Sequence, residues 1–289
     1  MKTRINADFT QMNADKKIGI IGFGNMGSVI AERIKSKYEV TVFDKDSDKT
    51  KNFFDIKVAS SNIDLVKDSN TVILAVKPQD FEVVLNEIKD YTKDKLIISI
   101  AAGVTTGYIE KFLGNVGVIR VMPNMPAKIG KATSCLCKGR FVTDADLDFS
   151  EELFKYLGHT IVLNEDMMDA ATAISGSGPG YYFDAIESNP ERYKNNPSKF
   201  RDDFITEFTK AAKAVGFDEH KAKFLASYTV VASDLLLKKT GMSPRELKGQ
   251  IASKGGTTQA ALEVLHKGGS LEEAVKAALK RAEELSKRE

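Results

Sequence analysis

Tryptophan is absent from the 289 residues, histidine occurs three times and cysteine only twice. The two cysteines, Cys135 and Cys137, flank Leu136 with no histidine nearby. That excludes a disulfide framework and a zinc-ligand set, so no metal site is expected, and a reduced pair in a cytoplasmic protein is the simpler reading. Long apolar runs are missing too. The longest, Leu96 to Val104, is broken by Ser99 and Gly103 and falls far short of a membrane span. Nor is there an excess of one charge: 42 basic and 40 acidic side chains are interspersed, with no footprint for nucleic acid or an anionic membrane. The first 15 residues have no apolar core, which argues against a secretory signal and for a flexible tail over 1–16. What remains is ordinary globular composition, 42% hydrophobic and 28% charged, in a chain long enough for two cores.

The chain is organised around Lys17-Ile18-Gly19-Ile20-Ile21-Gly22-Phe23-Gly24-Asn25-Met26-Gly27. An isoleucine-rich run enters a Gly-x-Gly-x-x-Gly turn, and a helical pattern follows. In a dinucleotide site Gly22 permits the tight turn and Gly24 lets amides approach a pyrophosphate. Gly27 allows close packing, with the helix N-terminus aimed at the phosphates. Such a turn alone is weak evidence; its context adds to it. A second strand, Glu39 to Phe43, ends in Asp44, about 20 residues beyond the glycines, where a ribose contact is expected. From 17 to 165 strands and helices alternate, predicting a doubly wound, mainly parallel sheet of Rossmann-like class. Unusual turns cluster at the carboxyl ends of its strands: Ala75-Val76-Lys77-Pro78, Ala101-Ala102-Gly103 and Met122-Pro123-Asn124-Met125-Pro126. Ligands bind at that edge of an open sheet. Lys77 can meet a phosphate or ribose, or be merely solvated.

Beyond 165 the strand signals vanish. Helical patterns cover about 167–186, 198–215, 219–238, 257–267 and 271–286, so 166–289 is expected to be an all-helical domain. Segment 187–199, polar with two prolines, reads as a surface excursion. Two stretches stand out. Ser175-Gly176-Ser177-Gly178-Pro179-Gly180 interrupts a helix and allows close approach of a ligand or of another helix. Ser253-Lys254-Gly255-Gly256-Thr257-Thr258 opens a helix, and free amides of Gly255, Gly256 and Thr257 would make a carboxylate cradle with two hydroxyls beside it.

Taken together, Gly-Phe-Gly-Asn-Met-Gly, Ala-Val-Lys-Pro-Gln (75–79), Arg-Val-Met-Pro-Asn-Met-Pro-Ala (120–127), Ser-Gly-Ser-Gly-Pro (175–179) and Gly-Gly-Thr-Thr (255–258) resemble, in order, the motifs of the pyrroline-5-carboxylate reductase family. The resemblance runs from about 17 to 285. It implies reduction of 1-pyrroline-5-carboxylate to L-proline by NADH or NADPH, and a homodimer or larger homo-oligomer. In that assembly the glycine-threonine loop lies near a partner's cofactor. It also implies that Ser253, Gly255, Gly256, Thr257 and Thr258 surround the substrate, with Thr258 nearest the ring nitrogen. The cofactor would lie against residues 22–27 (Gly22, Phe23, Gly24, Asn25, Met26, Gly27), Asp44, Ala75, Val76, Lys77, Pro78, Met122, Pro123 and Asn124. Three departures from the family stand out: Lys254 where proline is usual, Gly180 where alanine is usual, and an apparent insertion over roughly 187–205.

A protonated pyrroline imine already accepts hydride well, so orientation matters more than a strong general acid. None of His159, His220 and His266 looks catalytic; Thr258 is expected to deliver or relay the proton. A β-hydroxyacid dehydrogenase is the nearest rival, but that family's catalytic lysine has no counterpart between Tyr156 and Tyr193. A dinucleotide-binding sensor without turnover is the other alternative. Asp44 favours NADH by accepting a ribose hydroxyl, whereas Lys45, Lys49 and Lys51 offer a 2′-phosphate site; the balance tips slightly to NADH.

Overall fold

The computed structural model describes residues 16–287; apart from Lys16, the expected flexible tail lies outside them. The chain packs as two compact units. One runs to Val121 and includes Leu136–Tyr156; the other joins Met122–Cys135 to the residues from Leu157 onward. Strands are β1 (Lys17–Ile21), β2 (Glu39–Phe43), β3 (Lys57–Val58), β4 (Thr71–Leu74), β5 (Leu96–Ser99), β6 (Gly117–Met122), β7 (Ala132–Lys138) and β8 (Gly158–Val162). They form one sheet in the order β3-β2-β1-β4-β5-β6-β7-β8, parallel from β3 through β6. The reversal of strand order beside β1 is the doubly wound topology that the alternating pattern predicts.

Residues of β4 and β5 are buried throughout, because helices cover both faces. The helices of this unit are α1 (Asn25–Ile34), α2 (Asn62–Lys67), α3 (Phe81–Ile88), α4 (Thr106–Leu113) and α5 (Asp144–Lys155). Phe81, Val84, Leu85 and Ile88 of α3 form the expected apolar face, in one core with Leu65, Val72, Leu74, Ile97 and Ile109. Thr105 caps α4 by accepting from the Tyr108 amide, as its position suggests.

The second unit continues with α6 (Met168–Ala171), α7 (Gly178–Ser188), α8 (Pro190–Asn195), α9 (Pro197–Ala214), α10 (Glu219–Thr240), α11 (Pro244–Ile251), α12 (Thr257–His266) and α13 (Leu271–Ser286). The structure refines the expected helices at three places. The interruption expected within 167–186 is present and takes a particular form: between α6 and α7 the chain widens into a π turn at Thr172–Gly176, where the Ser177 amide donates to Thr172 O at 2.9 Å. Pro179 has no amide to continue the ladder, so the helix restarts around it. Segment 187–199 lies at the surface as expected, but it is helical for the most part; both its prolines sit at helix starts, those of α8 and α9. The helix α11 had no counterpart in the periodicity, having one fully buried side chain, Leu247. It is set by a capping box between Ser243 and Glu246.

A buried carboxylate anchors α8. Asp234, on α10, accepts from Tyr193 Oη at 2.7 Å, Tyr182 Oη at 3.1 Å and Lys238 Nζ at 2.7 Å. Burial alone would raise its pKa, but Lys238 and Tyr193 outweigh burial and hold it below the usual carboxylate range. Tyr193→Phe is therefore expected to destabilise the fold by about 1–2 kcal/mol, read from urea unfolding. It should also make 187–199 the first site of limited proteolysis.

Candidate functional site

Two glycine-started helices distinguish the two units. The helices α2, α4, α5, α9, α10, α11 and α13 each begin with a side chain that accepts a first-turn amide, from Ser61, Thr105, Thr143, Asn196, Asp218, Ser243 and Ser270. Among the helices with no side-chain cap, α1 and α12 have glycine at the cap position, Gly24 and Gly256. Their first amides need an acceptor from outside the helix.

Around α1 the glycines serve different ends. Gly22 has φ +98°, and a Cβ there would stand 2.7 Å from the Ala75 carbonyl group; one on Gly27 would stand 2.1 Å from Gly22 O. Both are sterically obligatory. A Cβ on Gly24 meets no protein atom within 4 Å, so its face is open to a ligand. A cleft of ≈ 710 Å³ opens here, lined by Gly22, Gly24, Asp44, Lys45, Lys49, Ala75, Val76 and Lys77 among others. These residues fit a dinucleotide: bare backbone for a pyrophosphate and a carboxylate at the end of β2. Phe23, Asn25, Met26, Gly27 and Pro78 adjoin these residues in sequence without lining the cleft. Met122, Pro123 and Asn124 belong to the other unit, where all three are buried. The Asn124 carboxamide is engaged there, accepting from the Thr133 amide at 2.9 Å and donating to Ser175 O and Oγ at 3.2 and 3.3 Å.

Asp44, expected as a ribose contact, is also held by the protein itself. Its carboxylate is only 6% exposed, and accepts from the Phe23 amide at 2.7 Å, the Asp46 amide at 2.9 Å and Lys49 Nζ at 3.0 Å. Burial would raise its pKa, but the two amides and Lys49 outweigh burial and hold it below the ordinary range. Lys45 pairs with Asp80 at 2.8 Å and Lys51 pairs with Asp48. The Lys77 ammonium has no partner among the described residues. Asn62, Gln79, Asp80 and Glu87 also line the cleft. Of these only Gln79 falls in a sequence motif; Asn62, Asp80 and Glu87 carry no local signal that links them to the glycine turn. In the structure Asn62 Nδ2 donates to Glu87 at 2.8 Å.

At α12 the cradle differs from expectation. The Gly255 amide donates to Gln259 Oε1 at 2.7 Å, and the Gly256 amide closes a turn onto Ser253 O at 3.0 Å. Neither is free. The open amides are those of Thr257, Thr258 and Gln259, the first three of the helix, as its geometry requires. Gly255 has φ +70°, and a Cβ on Gly256 would stand 2.4 Å from Ser253 Oγ, so both glycines shape the loop. Arg281 Nε braces it from outside, donating to Gly255 O at 2.8 Å. Ser253, Lys254 and Gly255 are exposed, whereas Thr257 and Thr258 are buried at 8% and 4% exposure.

The two unusual stretches of the helical unit meet. Ser177 Oγ and Thr257 Oγ1 are 2.8 Å apart, and Gly180 lies against the Thr258 methyl. Gly178 admits Phe208 of α9 and Thr229 of α10. So Ser175–Gly180 serves helix packing and supports the loop as well. His159 meets Tyr228 edge-to-face at 4.3 Å between centroids, and His266 Nε2 lies 3.0 Å from Asp184. Cys135 and Cys137 are buried free thiols, with Cys135 pushed up to about 12 by burial. Among the described residues no helix is long and apolar enough to cross a membrane.

Residues 17–103 match the family described as NADP oxidoreductase, coenzyme F420-dependent, and residues 200–287 match pyrroline-5-carboxylate reductase dimerisation. A pyrroline-5-carboxylate reductase of Arabidopsis thaliana is 34% identical, over 93% of this chain and 95% of its own length. One of Methanosarcina acetivorans is 34% identical over 95% and 99%. The crystal structure of Plasmodium falciparum pyrroline carboxylate reductase with NADP bound superposes with a TM-score of 0.61 at 29% identity, covering 94% of this chain and 99% of that one.

The Asp44 contacts yield a signed expectation. A carboxylate whose pKa is depressed by folding stabilises the fold above its unfolded pKa, and that contribution is lost as pH falls through the folded one. Asp44→Asn should lower stability by about 1–2 kcal/mol at pH 7. The deficit should shrink in acid, where the wild-type carboxyl is itself protonated; urea unfolding across acid pH measures it.

Proposed function

The chain belongs to the pyrroline-5-carboxylate reductase family, and on that premise we propose that it reduces 1-pyrroline-5-carboxylate to L-proline as a cytoplasmic homo-oligomer. The observation that carries the reading is the start of α12: a loop closed on itself by Ser253, Gly255 and Gln259, leaving three amides and two buried hydroxyls together. A substrate carboxylate suits those amides, since the positive end of the helix dipole faces it and no acidic side chain occupies the first turn.

The bound nicotinamide supplies the hydride. Residues 22–27, Asp44 and Ala75–Pro78 would hold the dinucleotide, with Lys77 free to meet a phosphate; Met122, Pro123 and Asn124 can add contacts only through backbone or packing. The protein's own work is orientation. Thr257, Thr258 and Gln259 pin the carboxylate through their amides, with Ser253 and the Gly255-Gly256 turn as the wall. The Thr258 hydroxyl, held in a dry environment, holds or passes the proton at the ring nitrogen. His159 and His266 already have partners in the helical unit, and no stronger acid is called for.

The pairing of the lysines bears on cofactor choice. Lys45, Lys49 and Lys51 each face a carboxylate, so a 2′-phosphate would have to displace Asp80, Asp44 or Asp48. This supports NADH over NADPH. Oligomerisation follows from the dimerisation family match over 200–287. Within that span Tyr228 and Val231 of α10 are 39% and 46% exposed, an apolar strip suited to a second copy.

Following oxidation of the reduced dinucleotide with 1-pyrroline-5-carboxylate tests the reaction; oxidation with no substrate other than a hydroxyacid's keto form would defeat it. Thr258→Ala should lower kcat/KM about a hundredfold while leaving the unfolding midpoint near wild type. Specificity constants should favour NADH about threefold or more, the scale of a surface ion pair. Asp80→Asn, which releases Lys45, should narrow that ratio.

A further inference from the structure

We propose that Gly180 is a positioning residue for Thr258: the side chain it lacks leaves room for the Thr258 methyl and so decides where the Thr258 hydroxyl points. The inference rests on Thr258 being the hydroxyl that serves the imine nitrogen. Gly180 is the third residue of α7, buried, and packs against the first turn of α12. A Cβ built on it would stand 2.6 Å from Thr258 Cγ2, 3.9 Å from Thr258 Cβ and 3.6 Å from Ile251 Cγ2. The first of these distances is far inside the roughly 3.5–4.0 Å of carbon–carbon contact.

The relief open to such a clash is specific. Thr258 is only 4% exposed, so its methyl has no solvent to move into. One residue earlier, Thr257 Oγ1 is tied to Ser177 Oγ at 2.8 Å, which fastens the start of α12 to the residue just before α7. With the backbones held together, the soft coordinate is χ1 of Thr258, and threonine occupies only staggered positions. Turning the methyl away from position 180 carries the hydroxyl to another site. Glycine also works against local propensity here, since alanine is the better helix former.

The experiment compares four proteins: wild type, Gly180→Ala, Thr258→Ser and the double variant. For each, kcat and KM are measured with 1-pyrroline-5-carboxylate and reduced dinucleotide, together with the thermal midpoint. Gly180→Ala alone should lower kcat about tenfold, as a misplaced catalytic hydroxyl does. Its KM should stay within about twofold, because the amides that bind the carboxylate are untouched. Its midpoint should hold or rise, in keeping with helix propensity. Thr258→Ser keeps the hydroxyl and removes the methyl, so in that background Gly180→Ala should change kcat by less than about twofold. Wild-type kcat for Gly180→Ala, or an equal loss in both backgrounds, overturns the inference. Thr258→Ala separates it from the reading beneath it. If that variant is fully active, the role of Thr258 falls and the inference falls with it. If it is crippled while Gly180→Ala is unimpaired, only the positioning role is lost.

Discussion

Backbone amides at a helix start need acceptors, and this protein supplies them from its own side chains at most of its longer helices. The two that begin at Gly24 and Gly256 are the exceptions that matter, since a glycine cap offers no oxygen to the first turn. Each exception lies in a different unit. One faces a cleft lined by bare glycine backbone; the other has two threonines buried in its first turn. Each therefore leaves first-turn donors without a side-chain acceptor, unlike the seven helices capped by serine, threonine, asparagine or aspartate.

Unsatisfied donors are useful only if they stay put, and much of the polar structure nearby does that holding. Asp44 ties the Phe23 amide to the turn after β2, so the glycine turn and the second strand move as one. At α12 the Gly255 and Gly256 amides are consumed internally, which rigidifies the loop and leaves the next three amides open. Ser177, Gly178 and Gly180 then press neighbouring helices close enough to support that turn. Preorganisation of this kind suits a reaction whose acceptor is already activated, because little beyond orientation remains to be supplied.

Segment 187–199 follows a different logic. Rather than a loose excursion, α8 is drawn onto α10 by Tyr193 and the buried Asp234, with Arg192 paired to Asp203 at 2.8 Å. Proline at the start of α8 and again at the start of α9 opens a new helix each time instead of unfolding the chain. Its polar composition hid this, because the tyrosine that anchors it finds its partner 41 residues away.

Local patterns determined a good deal. Alternating apolar strands and helices, glycine spacing, strand-end prolines and caps such as Thr105 all act within a few residues, where propensity and periodicity operate. They established the doubly wound class, the nucleotide turn, the helical second half and the family. Tertiary structure alone decided what depends on distant partners. The π turn at Thr172–Gly176 arises where glycine and proline break the ladder between packed helices. The engagement of Asp44 by Phe23 and Lys49, the pairing of Lys45 with Asp80, and the closeness of Gly180 to Thr258 join residues that no periodicity links. Sequence says which amides a glycine can bare; only packing says which of them are already taken.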